Sequence, residues 1–162
     1  VKQVILGVDP GSRYTGFGVI AGAGDQFLHL DSGQINAGAG KPLENRLCRI
    51  YDDLKDLIQR HRPDAVAVEE IFLAANVKSA FTLGQVRGVV LLLAAQTSRP
   101  IFQYPPLVVK KAVVGYGQAT KDQVQLMVEQ MLGLKLTSQH AADALAVSMC
   151  HLFHRRWPGG AR

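Results

Sequence analysis

Three short stretches of the chain carry residues whose types and spacing suit metal or acid–base chemistry. The apolar run Val4-Ile5-Leu6-Gly7-Val8 ends in Asp9 and is followed by Pro10-Gly11-Ser12. An acid at the exit of an otherwise apolar strand sits at the sheet edge, where it needs a partner or a cation. Taken by itself, Asp9 could equally close an Asx-type turn over Gly11. A second apolar run, Ala65-Val66-Ala67-Val68, ends in Glu69-Glu70. Alternation places Asp9 on the face of Ile5 and Gly7, Glu69 on the face of Ala65 and Ala67, and Glu70 opposite. One of the two glutamates can therefore join Asp9, and spacing leaves open which. His140 and Asp143 are three residues apart and share a helix face. On a lone helix they would be a dipole-satisfying acid and a solvated imidazole. Three acids and an imidazole converging at one sheet edge would instead repel one another unless a divalent cation sat between them.

The elements that must position these residues follow along the chain. Tyr14-Thr15-Gly16-Phe17-Gly18-Val19-Ile20 reads as the second arm of a hairpin with the first run, and residues 26–34 as a third strand before a Gly/Ala loop at 36–40. Three antiparallel strands therefore open the domain. Leu43, Leu47, Ile50, Leu54, Leu57 and Ile58 then recur at helical spacing until Pro63. A strand that arrives after a crossover helix is usually parallel to its partner, which brings Glu69 and Glu70 to the edge that holds Asp9.

Over residues 76–97, Val77, Ala80, Phe81, Gly84, Gly88, Leu91 and Ala95 form one helical stripe, while Val86, Val89, Val90 and Leu93 are apolar elsewhere. Such a helix is expected to be buried on more than one side. Gly84 and Gly88 each cost about 1 kcal/mol of helix propensity relative to Ala, which close approach of another element, within the chain or across a subunit interface, would explain. Residues 101–104 form a fifth short strand stopped by Pro105-Pro106, and residues 107–114 a short helix with Lys110 and Lys111. Thr120-Lys121-Asp122-Gln123 is a capping box, and Gly133 stops the helix it opens. The last helix begins near Ser138 or Gln139, carries His140 and Asp143, and runs to about Arg155. Residues 157–162 read as a tail, leaving a single domain over residues 1–156.

A chain of 162 residues, 48% apolar and 19% charged, supports one sizeable core and lacks the low hydrophobicity that keeps disordered chains open. The net charge of +5 favours an anionic partner, nucleic acid among them. Cys48 and Cys150 lie far apart without a C-x-x-C pair, so neither a disulfide framework nor a structural zinc is indicated. The longest apolar run, residues 88–95, is short of a membrane span, and the N-terminal run ends at Asp9 before it could serve as a signal peptide. A cytoplasmic protein is expected.

Gly7-Val8-Asp9-Pro10-Gly11-Ser12-Arg13, with Thr15-Gly16-Phe17-Gly18-Val19-Ile20 after it, resembles the opening of the RuvC family, bacterial Holliday-junction resolvases of the ribonuclease-H-like superfamily. Ala67-Val68-Glu69-Glu70-Ile71-Phe72 is similar to that family's second acidic segment and Leu83-Gly84-Gln85-Val86-Arg87-Gly88 to its central helix. Val109-Lys110 and Val113-Val114-Gly115 match its basic segment, and Ala141-Ala142-Asp143-Ala144-Leu145-Ala146 its last acidic segment. The order is the family's, over nearly the whole chain.

The resemblance implies an α/β, ribonuclease-H-like fold: a five-stranded mixed sheet, three antiparallel strands then parallel ones, with helices on both faces. It implies a metal-dependent endonuclease that resolves four-way DNA junctions in recombination and repair by paired symmetric nicks, leaving 5′-phosphate and 3′-hydroxyl ends. Asp9, Glu69 and Asp143 are then catalytic carboxylates and metal ligands, with Glu69 rather than Glu70 in the family's glutamate position and Asp9 the candidate bridge. Two Mg²⁺ ions, about 3.5–4 Å apart, would flank the scissile phosphate. His140, also assigned to the catalytic metal site, stands where many members have aspartate. Imidazole is the softer ligand, so Mn²⁺ should serve at least as well as Mg²⁺.

Phe72 matches the family's aromatic that meets unstacked junction bases. Lys110 and Lys121 match its phosphate-neutralising positions, with Lys111 and Arg13 as helpers. The near two-fold symmetry of a four-way junction calls for a homodimer, and the Phe81/Gly84/Gly88 helix is one candidate interface. RuvA and RuvB, the branch-migration proteins, are the further partners the family implies. Two rivals remain in view. A phosphotransferase of the actin and sugar-kinase type shares the acid-x-glycine turn but needs two such domains, and a non-cleaving nucleic-acid-binding module would have no use for the full set of acids.

Overall fold

The two apolar runs that end in acids are neighbouring strands. In a computed structural model that describes residues 2–23, 25–70 and 76–155, the elements are β1 (Gln3–Asp9), β2 (Tyr14–Ala23), β3 (Gln26–Asn36), α1 (Leu43–His61), β4 (Ala65–Glu69), α2 (Val77–Gln96), β5 (Ile101–Tyr104), α3 (Pro106–Val114), α4 (Lys121–Leu132) and α5 (Gln139–Arg155). The sheet order is β3-β2-β1-β4-β5. β1, β2 and β3 pair antiparallel, and β4 runs parallel to both β1 and β5. Gly7 pairs with Ala67 and Val8 with Val68, so Asp9 and Glu69 leave the sheet side by side. This is the expected α/β architecture. The capping box at Thr120 and Gln123 is formed, and Gly133 ends α4 at φ 66°.

Strand alternation divides the core in two. Leu6, Val8, Val19, Val66 and Val68 face α1 and α2, packing against Ile50, Leu54, Val86 and Val90. Ile5, Ile20, Ala65 and Ala67 face the other helices, chiefly Leu145, Ala146 and Met149 of α5. Asp9 and Glu69 continue this second face. α5 lies almost on the backbone of β1: a Cβ on Gly7 would run into the Ala144 carbonyl and the Ser148 hydroxyl. That hydroxyl has two carbonyl oxygens within donating distance of its one proton, Gly18 at 3.0 Å and Ala144 at 3.2 Å. The glycine leaves room, as the sequence indicates, and a helix occupies it.

α2 differs from expectation. Val77 and Phe81 are 70% and 72% exposed, and a Cβ on Gly84 or Gly88 would meet no described atom within 4 Å. The buried edge is Val86, Val90, Leu93 and Ala94, against α1 and the sheet. Apolar and small residues surround this helix on every side, so periodicity could not choose its inward face. α2 is also long and apolar enough, by length and composition, to cross a bilayer, although the run at residues 88–95 alone is not. One edge of it is nonetheless part of the core. Residues 157–162, expected as a tail, lie outside the described residues.

Beneath the sheet, His151 is 1% exposed, its Nδ1 2.7 Å from the Tyr104 hydroxyl and its ring 4.4 Å from that of Phe102. Nε2 is buried without a partner among the described residues. Burial first, then the charges of Arg155 and His154, lowers the His151 pKa from 6.5 to about 4. The unfolded chain therefore takes up this proton before the folded one does. Stability from this group is complete above pH 6.5 and declines as pH falls towards 4, by about 1.4 kcal/mol per unit and about 3 kcal/mol in all. Urea unfolding at pH 7.5 and 4.5 should show that loss, and a His151→Gln variant should show less of it.

Candidate active site

Asp9 is held at its strand end by the turn that follows. Thr15, fully buried, donates its hydroxyl to the Gly11 carbonyl at 2.8 Å and accepts from the Gly11 N–H at 3.3 Å. Thr15 closes this turn, so the Asx-turn alternative for Asp9 falls away and its carboxylate faces a cavity. Asp143 reaches that cavity from α5, whose start is fixed by Ser138. The Ser138 hydroxyl accepts from the Ala141 N–H at 3.2 Å and donates to Gln34 of β3 at 2.8 Å. A Cβ on Gly16 would strike the His140 carbonyl, so this end of α5 rests directly on β2.

The cavity, about 250 Å³, is lined by Asp9, Glu69 and Asp143, with Lys110 from α3 and Lys121 from α4. Leu83, Pro106, Val109 and Val124 supply apolar wall. Lys121 Nζ lies 3.5 Å from Asp143 Oδ2. Glu69 rises from 4.5 to about 8, through burial first and then the negative charges of Asp9 and Asp143. Burial and Asp9 also raise Asp143, against the pull of Lys121. The site thus carries more negative charge than its surroundings neutralise, and a divalent cation would relieve it. This all-oxygen donor set suits a hard divalent ion.

His140 stands at the rim. Its Nδ1 is 3.9 Å from Asp9 Oδ2, and its side chain is 42% exposed. Pairing with the Asp9 carboxylate raises its pKa above the ordinary value, against burial. Its ring lies 5.6 Å from that of Tyr14, over which the Arg13 guanidinium sits at 5.3 Å. Arg13 and Lys111 are exposed and do not line the cavity. Phe72 lies outside the described residues. Glu70, expected on the opposite face, contributes to the lining after all. β4 ends at Glu69, so alternation no longer governs the next residue. The apolar wall went unread in the sequence because its residues come from three helices, with no common spacing to reveal them.

A mixed sheet of this order, with carboxylates at two adjacent strand ends and a third on the helix laid across them, is the ribonuclease-H-like fold. Within that class the chain belongs to the RuvC family: the profile described as Crossover junction endodeoxyribonuclease RuvC matches residues 5–151. A protein of that name from Pelotomaculum thermopropionicum is 47% identical over 157 residues, 96% of each chain. Another, from Geotalea uraniireducens, is 49% identical over 148 residues, 91% of this chain and 86% of the relative. The structure of Thermus thermophilus RuvC in complex with a Holliday junction substrate superposes with a TM-score of 0.91 at 36% identity, covering 96% of each chain.

Proposed function

We infer that this chain is a crossover junction endodeoxyribonuclease that resolves four-way DNA junctions in recombination and repair, using the Asp9, Glu69 and Asp143 cavity as its active site. The observation that carries this is the meeting of acids from β1, β4 and α5 in one lysine-flanked cavity of a RuvC-family chain. The family's chemistry depends on a divalent metal. Asp9, Glu69 and Asp143 would hold such ions, and the chemistry supplied there would be activation of the attacking water and stabilisation of the leaving 3′ oxygen. We assign Asp9, Glu69, Asp143 and, at the rim, His140 to hold two Mg²⁺ or Mn²⁺ ions.

The chain's own contributions follow from its geometry. Lys110 and Lys121 offset the charge of the scissile phosphodiester. Lys121 also holds Asp143 in place. Burial, and after it the negative charges of Asp9 and Asp143, hold the Glu69 proton, and positive charge entering the cavity would offset the second of these and favour its release. The apolar wall limits water around the phosphate. Phe72 is assigned to unstacked bases, and Lys111 and Arg13 to phosphates beyond the cavity.

Val77, Phe81 and Leu92, exposed on α2 beside the open Gly84 and Gly88, are the face we assign to a homodimer. Cooperation with RuvA and RuvB in the cytoplasm completes this reading. It is tested on a synthetic four-way junction, with duplex of matched sequence as control and either metal supplied. Paired nicks in opposing arms, dependent on metal and absent from duplex, are expected, with Mn²⁺ at least equal to Mg²⁺. Binding without any nick would favour the non-cleaving module, and cleavage with Mg²⁺ but none with Mn²⁺ would refute the role given to His140.

A further inference from the structure

Beside the catalytic cavity lies a second, cationic cleft. Ser12, Arg46, Lys78, Ser79, Thr82 and Leu83 line it, and no acidic residue is among them. Leu83 lines both hollows, and the turn after Asp9 spans them, with Pro10 on the catalytic side and Ser12 on the other. Arg46 Nη1 donates to the Ser12 carbonyl at 3.2 Å, which anchors the guanidinium at this boundary. Its Nε is buried without a hydrogen-bond partner among the described residues. The Thr82 hydroxyl is already committed to the Lys78 carbonyl at 3.1 Å, and the Asn76 side chain caps the helix N–H groups of Lys78 and Ser79. The donors left for a ligand are therefore side chains: the remaining guanidinium N–H groups, the Lys78 ammonium and the Ser79 hydroxyl.

We propose that the Arg46/Lys78/Ser79 cleft is a phosphodiester-binding subsite that holds the DNA backbone next to the scissile phosphate. It rests on the junction-cleavage reading. A planar guanidinium fixed at one edge, with an ammonium and a hydroxyl beside it, matches the shape and charge of a phosphate. The subsite adjoins the catalytic cavity, so a strand occupying both is held on each side of Leu83. Arg46 and Lys78 act as positioning residues: they fix where along the strand the acids meet it.

The test is salt-dependent binding of a fluorescent four-way junction in EDTA, where no nicking occurs, for wild type, Lys78→Gln, Arg46→Gln and Lys2→Gln. Loss of one phosphate contact should flatten the slope of log affinity against log salt by about 0.9. Lys78→Gln should show this reduced slope and several-fold weaker binding at low salt, whereas Lys2→Gln, the same charge change on an exposed residue outside both hollows, should keep the wild-type slope. Arg46→Gln, checked by thermal melting to be folded, should behave as Lys78→Gln does. A wild-type slope in Lys78→Gln, or an equal fall in Lys2→Gln, overturns the subsite. If wild type binds and nicks junctions while the slopes are unchanged, only this inference fails. If wild type neither binds nor nicks, the junction reading falls and takes the subsite with it.

Discussion

Asp9→Asn is expected to slow nicking of a four-way junction by at least about 10³-fold, which corresponds to about 4 kcal/mol of barrier, while leaving junction binding within a few-fold of wild type. The amide keeps the shape of the side chain and removes its charge. In the structure that charge bears on each of the other candidate ligands. It lies 3.9 Å from His140 and, after burial, is the next largest cause of the raised pKa of both Glu69 and Asp143. Without it the cavity keeps its lysines and its walls, so DNA should still bind, with less repulsion from the acids. Single-turnover cleavage at saturating protein, alongside anisotropy with the same junction, separates the two effects. Nicking at more than a tenth of the wild-type rate would remove Asp9 from the chemistry.

Gly7→Ala is expected to destabilise the fold by about 3 kcal/mol and to abolish nicking with it. The added methyl meets the Ala144 carbonyl, which belongs to a helix backbone, and a Ser148 hydroxyl already within donating distance of the Gly18 and Ala144 carbonyls. Neither can step aside unless α5 lifts away from β1. Gly84→Ala provides the contrast, since its methyl meets nothing among the described residues and helix propensity favours alanine by about 1 kcal/mol. Urea unfolding of both variants reads the difference directly. Equal stability in the two would mean that α5 is not seated on β1 as described.

The parts of the fold that depend on a two-residue period were legible in the sequence. Because side chains alternate along a strand, the identity of Ile5, Gly7 and Asp9 on one face and of Ala65, Ala67 and Glu69 on its neighbour could be read directly, and the pairing of Gly7 with Ala67 bears it out. The helix ends at Thr120 and Gly133 were legible for a different reason, since each answers a local need of the backbone. The inward face of α2 was hidden because its apolar residues encircle it. Spacing did not say which lysines reach the cavity; the family resemblance did, singling out Lys110 and Lys121, and both line it. Lys110 and Lys111 are adjacent in sequence, yet only Lys110 lines it, and only the helix's rotation decides between them. Glu70 escaped because its strand ends one residue earlier.

At two points nearest the acids, the contact between α5 and the strands beneath it involves main chain. Gly7 lies under the Ala144 carbonyl and Gly16 under that of His140, so what sets the helix height above the acids at these points is peptide against peptide. Side-chain volume enters at Leu145, against Gly18, and farther along at Met149. The spacing of the acids is thereby insulated from drift deeper in the core: repacking Met149 can raise or lower the melting temperature while the ruler between β1 and α5 stays the same length. A chain built this way can adapt its thermostability to a new environment without retuning its chemistry.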